Sequence, residues 1–203
     1  MSRPNYLSEI KRLIANAKAG TVFVAVDFVN ITDKKTVSMG LTRLETDGLI
    51  RRVLRGVYYK PEYSGLSGKA VSPCPDKVAQ AIARSFGWTI VPSGDAALYL
   101  LGLSTQVPET WVFVSDGTYK KYAYDNITIQ FKRTTNKEVS KLSYKTALTI
   151  QAIKALRKDK TDNDAVINRF SKLLTAAEKV AMLNEAKAAT SWTYEAIKQI
   201  CKN

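Results

Sequence analysis

Along the first sixty residues apolar side chains return at two different spacings, and the change of spacing marks the elements. Leu7, Ile10, Leu13, Ile14 and Ala17 recur along one helical face with Gly20 just beyond, which predicts a helix over 5–18. TVFVAVDF, Thr21 to Phe28, is β-rich and leads into a short turn of helix around Asp27 to Ile31. Asp33 stands where an N-cap belongs, ahead of a helix that runs to about Thr46 and stops before Asp47-Gly48. LIRRVLRGVYYKP, Leu49 to Pro61, reads as two strands around a turn near Arg55-Gly56. Helix, helix, helix and basic hairpin is the order of a winged helix-turn-helix, which assigns residues 1–62 to such a domain.

Residues 62–74 are rich in Gly, Ser and Pro and read as a linker. Beyond them Pro75-Asp76 opens a helix with Val78, Ala79, Ile82 and Phe86 on one side and Gly87 as its C-terminal cap. Trp88 to Val91 reads as a buried strand, and Asp95 as the cap of a short helix from Ala96 to Leu101. Three more strands follow, Trp111 to Val114, Tyr119 to Tyr124 and Ile127 to Arg133, punctuated by Asp116-Gly117 and Asp125-Asn126. The last third turns helical. Ser143 caps a helix to Leu156, Asp162 or Asn163 caps one ending near Leu174, Thr175-Ala176-Ala177-Glu178 is a capping box, and a final helix covers Trp192 to Ile200. The expected fold class is therefore α+β, with a second domain over 75–203 that is mixed α/β from 75 to 134 and helical from 140 to 203.

Charge narrows the partners. The 203-residue chain has 31 basic and 18 acidic side chains, a net charge of +13, which favours a polyanion. It contains no histidine, which removes the commonest general base, the Ser-His and Cys-His pairs and the usual zinc ligand. No apolar run approaches the roughly 20 residues of a membrane helix, and MSRPNYLSEIKRL carries no apolar signal segment, so a cytoplasmic protein is expected. Cys74 and Cys201 form no spaced framework and read as free thiols.

On the helix after Asp33, Val37, Gly40, Leu41 and Leu44 share one stripe at about 100° per residue. Lys35, Ser38, Met39, Thr42 and Thr46 cluster opposite, with Thr36 and Arg43 flanking. Cations there suit phosphates or a guanine edge, short hydroxyls approach bases closely, and Met39 suits a thymine methyl. The bland alternative is a solvated polar face. The hairpin tips the balance: Arg51, Arg52, Arg55 and Lys60 fall within twelve residues, Leu49 to Lys60, that contain no acid. Such cations repel one another, and a wing along a phosphate backbone would relieve them. The DNA contacts expected are Lys35, Thr36, Ser38, Met39, Thr42, Arg43, Arg51, Arg52, Arg55 and Lys60.

The stretch LTRLETDGLIRRVLRGVYYKP, Leu41 to Pro61, resembles the winged-helix domain of AbiEi-type antitoxins. PSGDAALYLLGLSTQVP, Pro92 to Pro108, and VSDGTYKKY, Val114 to Tyr122, are similar to the second domain of the same bacterial family. The resemblance implies the antitoxin of a type IV toxin–antitoxin pair, encoded beside a nucleotidyltransferase-like toxin. It also implies repression of its own operon by binding inverted repeats, as a homodimer on DNA, and counteraction of the toxin without a necessary stable complex. Lys35, Ser38, Thr42, Arg43 and the wing arginines carry over as DNA contacts; no catalytic residue does.

In the second domain Ser93, Asp95, Ser104, Thr105, Gln106 and Asp116 form a candidate partner or ligand site, set against a purely local reading as caps and turns. Metal-dependent chemistry would need gathered carboxylates. Asp95, Asp116 and Asp125 sit at capping and turn positions, and Asp162-Asn163-Asp164 lacks the Gly and Glu of a calcium loop. No enzyme, metal or cofactor is expected. Lys154, Arg157, Lys158 and Lys160 read as a cationic helix end or a second nucleic-acid contact. The alternatives to an antitoxin are a regulator whose second domain senses a ligand or partner, and an RNA-binding module.

Overall fold

The computed structural model describes residues 5–135, 141–156 and 164–202. They form an α+β chain of two units, 1–88 and 89–203.

In the first unit α1 (Tyr6–Asn16) starts at Asn5, whose side chain accepts from the Ser8 amide at 3.1 Å. It is followed by β1 (Val22–Val24), a 3₁₀ turn (Ala25–Phe28), α2 (Lys34–Thr46), β2 (Arg51–Leu54) and β3 (Val57–Tyr59). The strands pair antiparallel in the order β1-β3-β2. Ile10 and Ile14 of α1, Val37, Leu41 and Leu44 of α2, and Phe23, Phe28, Ile50 and Tyr58 make one buried cluster. The β2–β3 reversal needs Gly56, whose φ of +77° few other residues adopt, and Gly48 at +76° likewise releases the chain from α2.

Two sequence expectations are corrected here. The stretch 62–74 is not a plain linker: β4 (Glu62–Tyr63) and β5 (Ala70–Val71) pair antiparallel. The loop between them is closed by Ser64 N–H to Lys69 O and Gly68 N–H to Ser64 O. The following helix, α3 (Pro75–Phe86), belongs to the first unit, because the division falls between Trp88 and Thr89. Its apolar face packs on β1, β3 and the 3₁₀ turn. Arg84 grips Asp27 through two hydrogen bonds of 2.8 and 3.0 Å and also donates to Val22 O. A domain boundary drawn from Gly, Ser and Pro content misses this, because the apolar face of α3 does not say which core it joins.

The second unit contains β6 (Ile90–Ser93), α4 (Asp95–Leu100), β7 (Thr110–Ser115), β8 (Lys120–Tyr124) and β9 (Ile127–Arg133). The sheet order is β6-β7-β9-β8, with β7 and β9 parallel and the other pairs antiparallel. Asp125 at φ 48° makes the β8–β9 turn, as Asp125-Asn126 predicts. Gly94, rather than Asp95, is the N-cap of α4, and Asp95 is its first residue.

Helices α5 (Tyr144–Leu156), α6 (Asp164–Lys172), α7 (Ala176–Glu185) and α8 (Ser191–Lys202) complete this unit. The predicted capping box opens α7: the Thr175 and Glu178 side chains each accept from the other's backbone amide. In α5 every residue from Thr146 to Ile153 is buried, so the helix runs through the core instead of lying on it. Phe170, Met182, Ile197 and Ile200 pack in the same cluster. Asp162 and Asn163, expected as caps, and Arg157, Lys158 and Lys160, expected as a cationic group, fall outside the described residues; Lys154 lies half-buried near the end of α5.

Gly40 invites a stability test. A Cβ there would meet Leu7 Cδ1 at 3.5 Å and Ile10 Cδ1 at 3.7 Å, ordinary contact distances. Gly40→Ala should therefore stabilise the chain by about 0.5–1 kcal/mol through helix propensity, measured by urea unfolding; a loss of stability would show that α1 cannot accept the methyl.

Candidate nucleic-acid interface

Helix α2 is set by its cap and its buried stripe. The Asp33 carboxylate accepts from Lys35 N at 2.9 Å, Thr36 N at 3.1 Å and Thr36 Oγ1 at 2.6 Å. These bonds, the Thr36 hydroxyl first, hold its carboxyl below the usual carboxylate range. With Val37, Leu41 and Leu44 buried, Lys35, Ser38, Met39, Thr42, Arg43 and Thr46 are exposed and Thr36 is half-buried.

The exposed residues divide between two flanks of α2. Ser38 and Thr42 face a cleft of about 390 Å³ closed on its other side by Arg52, Arg55, Gly56 and Tyr58 of the hairpin, with Ala25 and Leu41 also lining it. Thr36, Met39 and Arg43 border a different hollow, of about 320 Å³, shared with Tyr6, Leu7 and Ile10 of α1. Lys35, Arg51 and Lys60 line neither.

The hairpin cations are not equivalent, and two expectations need correction. Arg52 is not uncompensated. Its Nη2 and Nε donate to Glu45 Oε2 at 2.6 and 3.2 Å, and its guanidinium lies 5.8 Å from the centre of the Tyr58 ring. Glu45, above all, raises its pKa above the ordinary arginine value. Lys60 folds back instead of projecting: its ammonium donates to Ala15 O at 2.6 Å and Ala17 O at 2.8 Å, capping the carbonyl end of α1. Arg51 and Arg55 are exposed and make no ion pair among the described residues.

Sequence reasoning missed Tyr58, which lines this cleft, and Glu45, which holds Arg52 beside it. Glu45 lies on α2, outside the acid-free hairpin segment, and Tyr58 was read only as a strand residue. The Tyr58 hydroxyl is 3.2 Å from Thr42 Oγ1, which also donates to Ser38 O at 3.0 Å. Strand alternation carried a partial signal, since Arg52 and Tyr58 are cross-strand partners.

In the second unit the expected partner site is only partly assembled. Asp95, Ser104 and Gln106 line a polar hollow of about 440 Å³ with Glu109 and Thr110, while Thr105 is exposed beside it. Ser93 is directed elsewhere, donating to Gln151 Oε1 at 3.1 Å, and Asp116 accepts from the Thr89 amide at 2.9 Å. Those two serve the fold. Among the described residues no group of three or more His, Cys, Asp or Glu side chains could hold a metal ion, and both cysteines are free thiols. No helix among them is long and apolar enough to cross a membrane.

These features define an α+β chain with a cation-edged, hydroxyl-lined cleft between a helix and a hairpin. It belongs to DUF6088, a family of unknown function, which matches residues 9–182. No curated protein matches it. Among solved structures it is similar to the crystal structure of the RV2827C protein from Mycobacterium tuberculosis, at 11% identity and a TM-score of 0.42, over 98% of this chain and 77% of that one.

The cap of α2 has a pH signature. Because the Asp33 pKa is lowered on folding, its contribution is fully present above the ordinary aspartate value of 3.8 and is lost as pH falls through the lower folded value. Asp33→Asn should keep a cap yet remove this part of the acid sensitivity, read from urea midpoints between pH 5 and roughly pH 2. Identical pH profiles in both proteins would refute the assignment.

Proposed function

We propose that this chain is a winged-helix DNA-binding protein that represses its own operon and acts as the antitoxin of a type IV pair, with no catalytic role of its own. The observation that carries the DNA-binding part is the α2–hairpin cleft, where Ser38 and Thr42 face Arg55. The connectivity around it supports the same reading: a helix, a strand, a 3₁₀ turn, a second helix and a hairpin, with sheet order β1-β3-β2. The net charge of +13 favours a polyanionic partner. In this docking α2 enters the major groove, Ser38 and Thr42 meet base edges, and Arg51 and Arg55 bind phosphates. Lys35 and Arg43 add phosphate contacts from the helix; Arg52 and Lys60 hold the scaffold.

The toxin pairing rests on the resemblance of Leu41–Pro61, Pro92–Pro108 and Val114–Tyr122 to AbiEi-type antitoxins. A second reading, a regulator whose second unit senses a small ligand or partner, is favoured by the hollow around Asp95, Ser104, Gln106 and Glu109.

Titration against the duplex upstream of its own gene tests DNA binding. Each phosphate contact contributes about 0.9 to the salt slope, so an Arg51→Ala/Arg55→Ala double variant should flatten it by about 1.8 and weaken all duplexes alike. An unchanged slope would defeat the proposed docking. For the antitoxin role, co-expression with a neighbouring nucleotidyltransferase-like toxin should restore growth, and the same double variant should still protect. Loss of protection in step with DNA binding would count against separate labour for the two units.

A further inference from the structure

We infer that Thr42 is a specificity-determining residue that reads an exocyclic amino group, N6 of adenine or N4 of cytosine, because Tyr58 leaves its hydroxyl able only to accept. This deepens the DNA-binding reading and rests on it.

A threonine hydroxyl has one proton and two lone pairs, and a phenol has one proton of its own. Thr42 Oγ1 donates its proton to Ser38 O at 3.0 Å, within α2. The Tyr58 hydroxyl, 3.2 Å away on a side chain only 5% exposed, then faces an oxygen with no proton left to give. Tyr58 is therefore the donor. Its other neighbour, Arg52, has donors alone and cannot take the phenol proton, so it reinforces the same direction. Glu45 holds Arg52 in that place at 2.6 Å.

One lone pair of Thr42 remains, on an exposed residue lining the cleft. In the major groove it complements an amino group of adenine or cytosine. Opposite guanine O6 or thymine O4 it would set acceptor against acceptor. Ser38 and Thr46 also donate to the carbonyls four residues back, Lys34 O at 2.8 Å and Thr42 O at 3.1 Å. No cross-strand phenol pins either of them among the described residues, so each can turn and donate instead. Of the three hydroxyls along this face, Thr42 is the one whose polarity the fold fixes.

The test uses the full chain and a duplex enriched from a random library. In that duplex single amino groups are deleted (purine for adenine, 2-pyrimidinone for cytosine), and so are single keto oxygens (2-aminopurine for guanine, 5-methyl-2-pyrimidinone for thymine). At one position, amino deletion should weaken the native protein about five- to tenfold, the range of one lost hydrogen bond. Thr42→Val, nearly isosteric, should lose this sensitivity at that position while still unfolding in one cooperative transition, at a somewhat lower temperature because the buried Tyr58 hydroxyl loses its acceptor. Tyr58→Phe should shrink the amino-deletion penalty, because the Thr42 hydroxyl is then free to turn. An equal response of the native protein and Thr42→Val to every amino deletion overturns the inference and leaves DNA binding standing. So does a Thr42→Val effect confined to keto deletions. Failure to enrich any duplex overturns both.

Discussion

Three aliphatic side chains on α2, Val37, Leu41 and Leu44, are buried with Ile10, Ile14, Phe23, Ile50 and Tyr58, and this packing fixes the rotation of the helix about its axis. Turning α2 by one residue, about 100°, would expose that stripe and bury polar groups. A close-packed interior does not permit it. The two flanks of the helix thereby acquire directions: Ser38 and Thr42 toward the hairpin, Thr36, Met39 and Arg43 toward α1. The apolar residues determine where the hydroxyls point.

Upon that frame the fold sorts the cations of the hairpin. Exposed ion pairs contribute little to stability, so the Glu45–Arg52 contact matters chiefly for geometry, joining α2 to β2 through a planar fork that also lies against Tyr58. Lys60 performs a comparable structural task at the end of α1. Arg51 and Arg55 keep their charge open to solvent. In the proposed complex this separates residues that shape the cleft from those that meet phosphate.

The second unit shows the same division between support and exposure. Its sheet flanks a parallel β7–β9 pair with an antiparallel strand on each edge, β6 and β8, and α5 passes through the core with eight successive buried residues. A helix enclosed in this way brings polar side chains inside, and Gln151 takes its hydrogen bond from Ser93. Ser93 thus leaves the group of accessible polar residues to which sequence had assigned it. Asp95, Ser104 and Gln106 stay around the open hollow because they follow β6 and precede β7, outside the paired strands.

Local chemistry was legible in the sequence. The helical stripe of α2, the Asp33 cap, the turns at Arg55-Gly56 and Asp125-Asn126 and the Thr175–Glu178 box depend on residues within a few positions of one another, so spacing alone determines them. Partners brought together from farther away were not. Alternation along β2 assigns Arg52 to a face but cannot name Glu45, seven residues earlier, as its acid. Nothing near Lys60 announces the carbonyl of Ala15, forty-five residues away. The membership of α3 in the first unit likewise depends on Arg84 meeting Asp27 across fifty-seven residues. The sequence by itself determined most of the helices and strands, though not the short β4–β5 pair, and which residue types edge the cleft. Only tertiary structure decided which cations are neutralised and which hydroxyl has lost its freedom to donate, because those properties belong to pairs that the chain brings together only by folding.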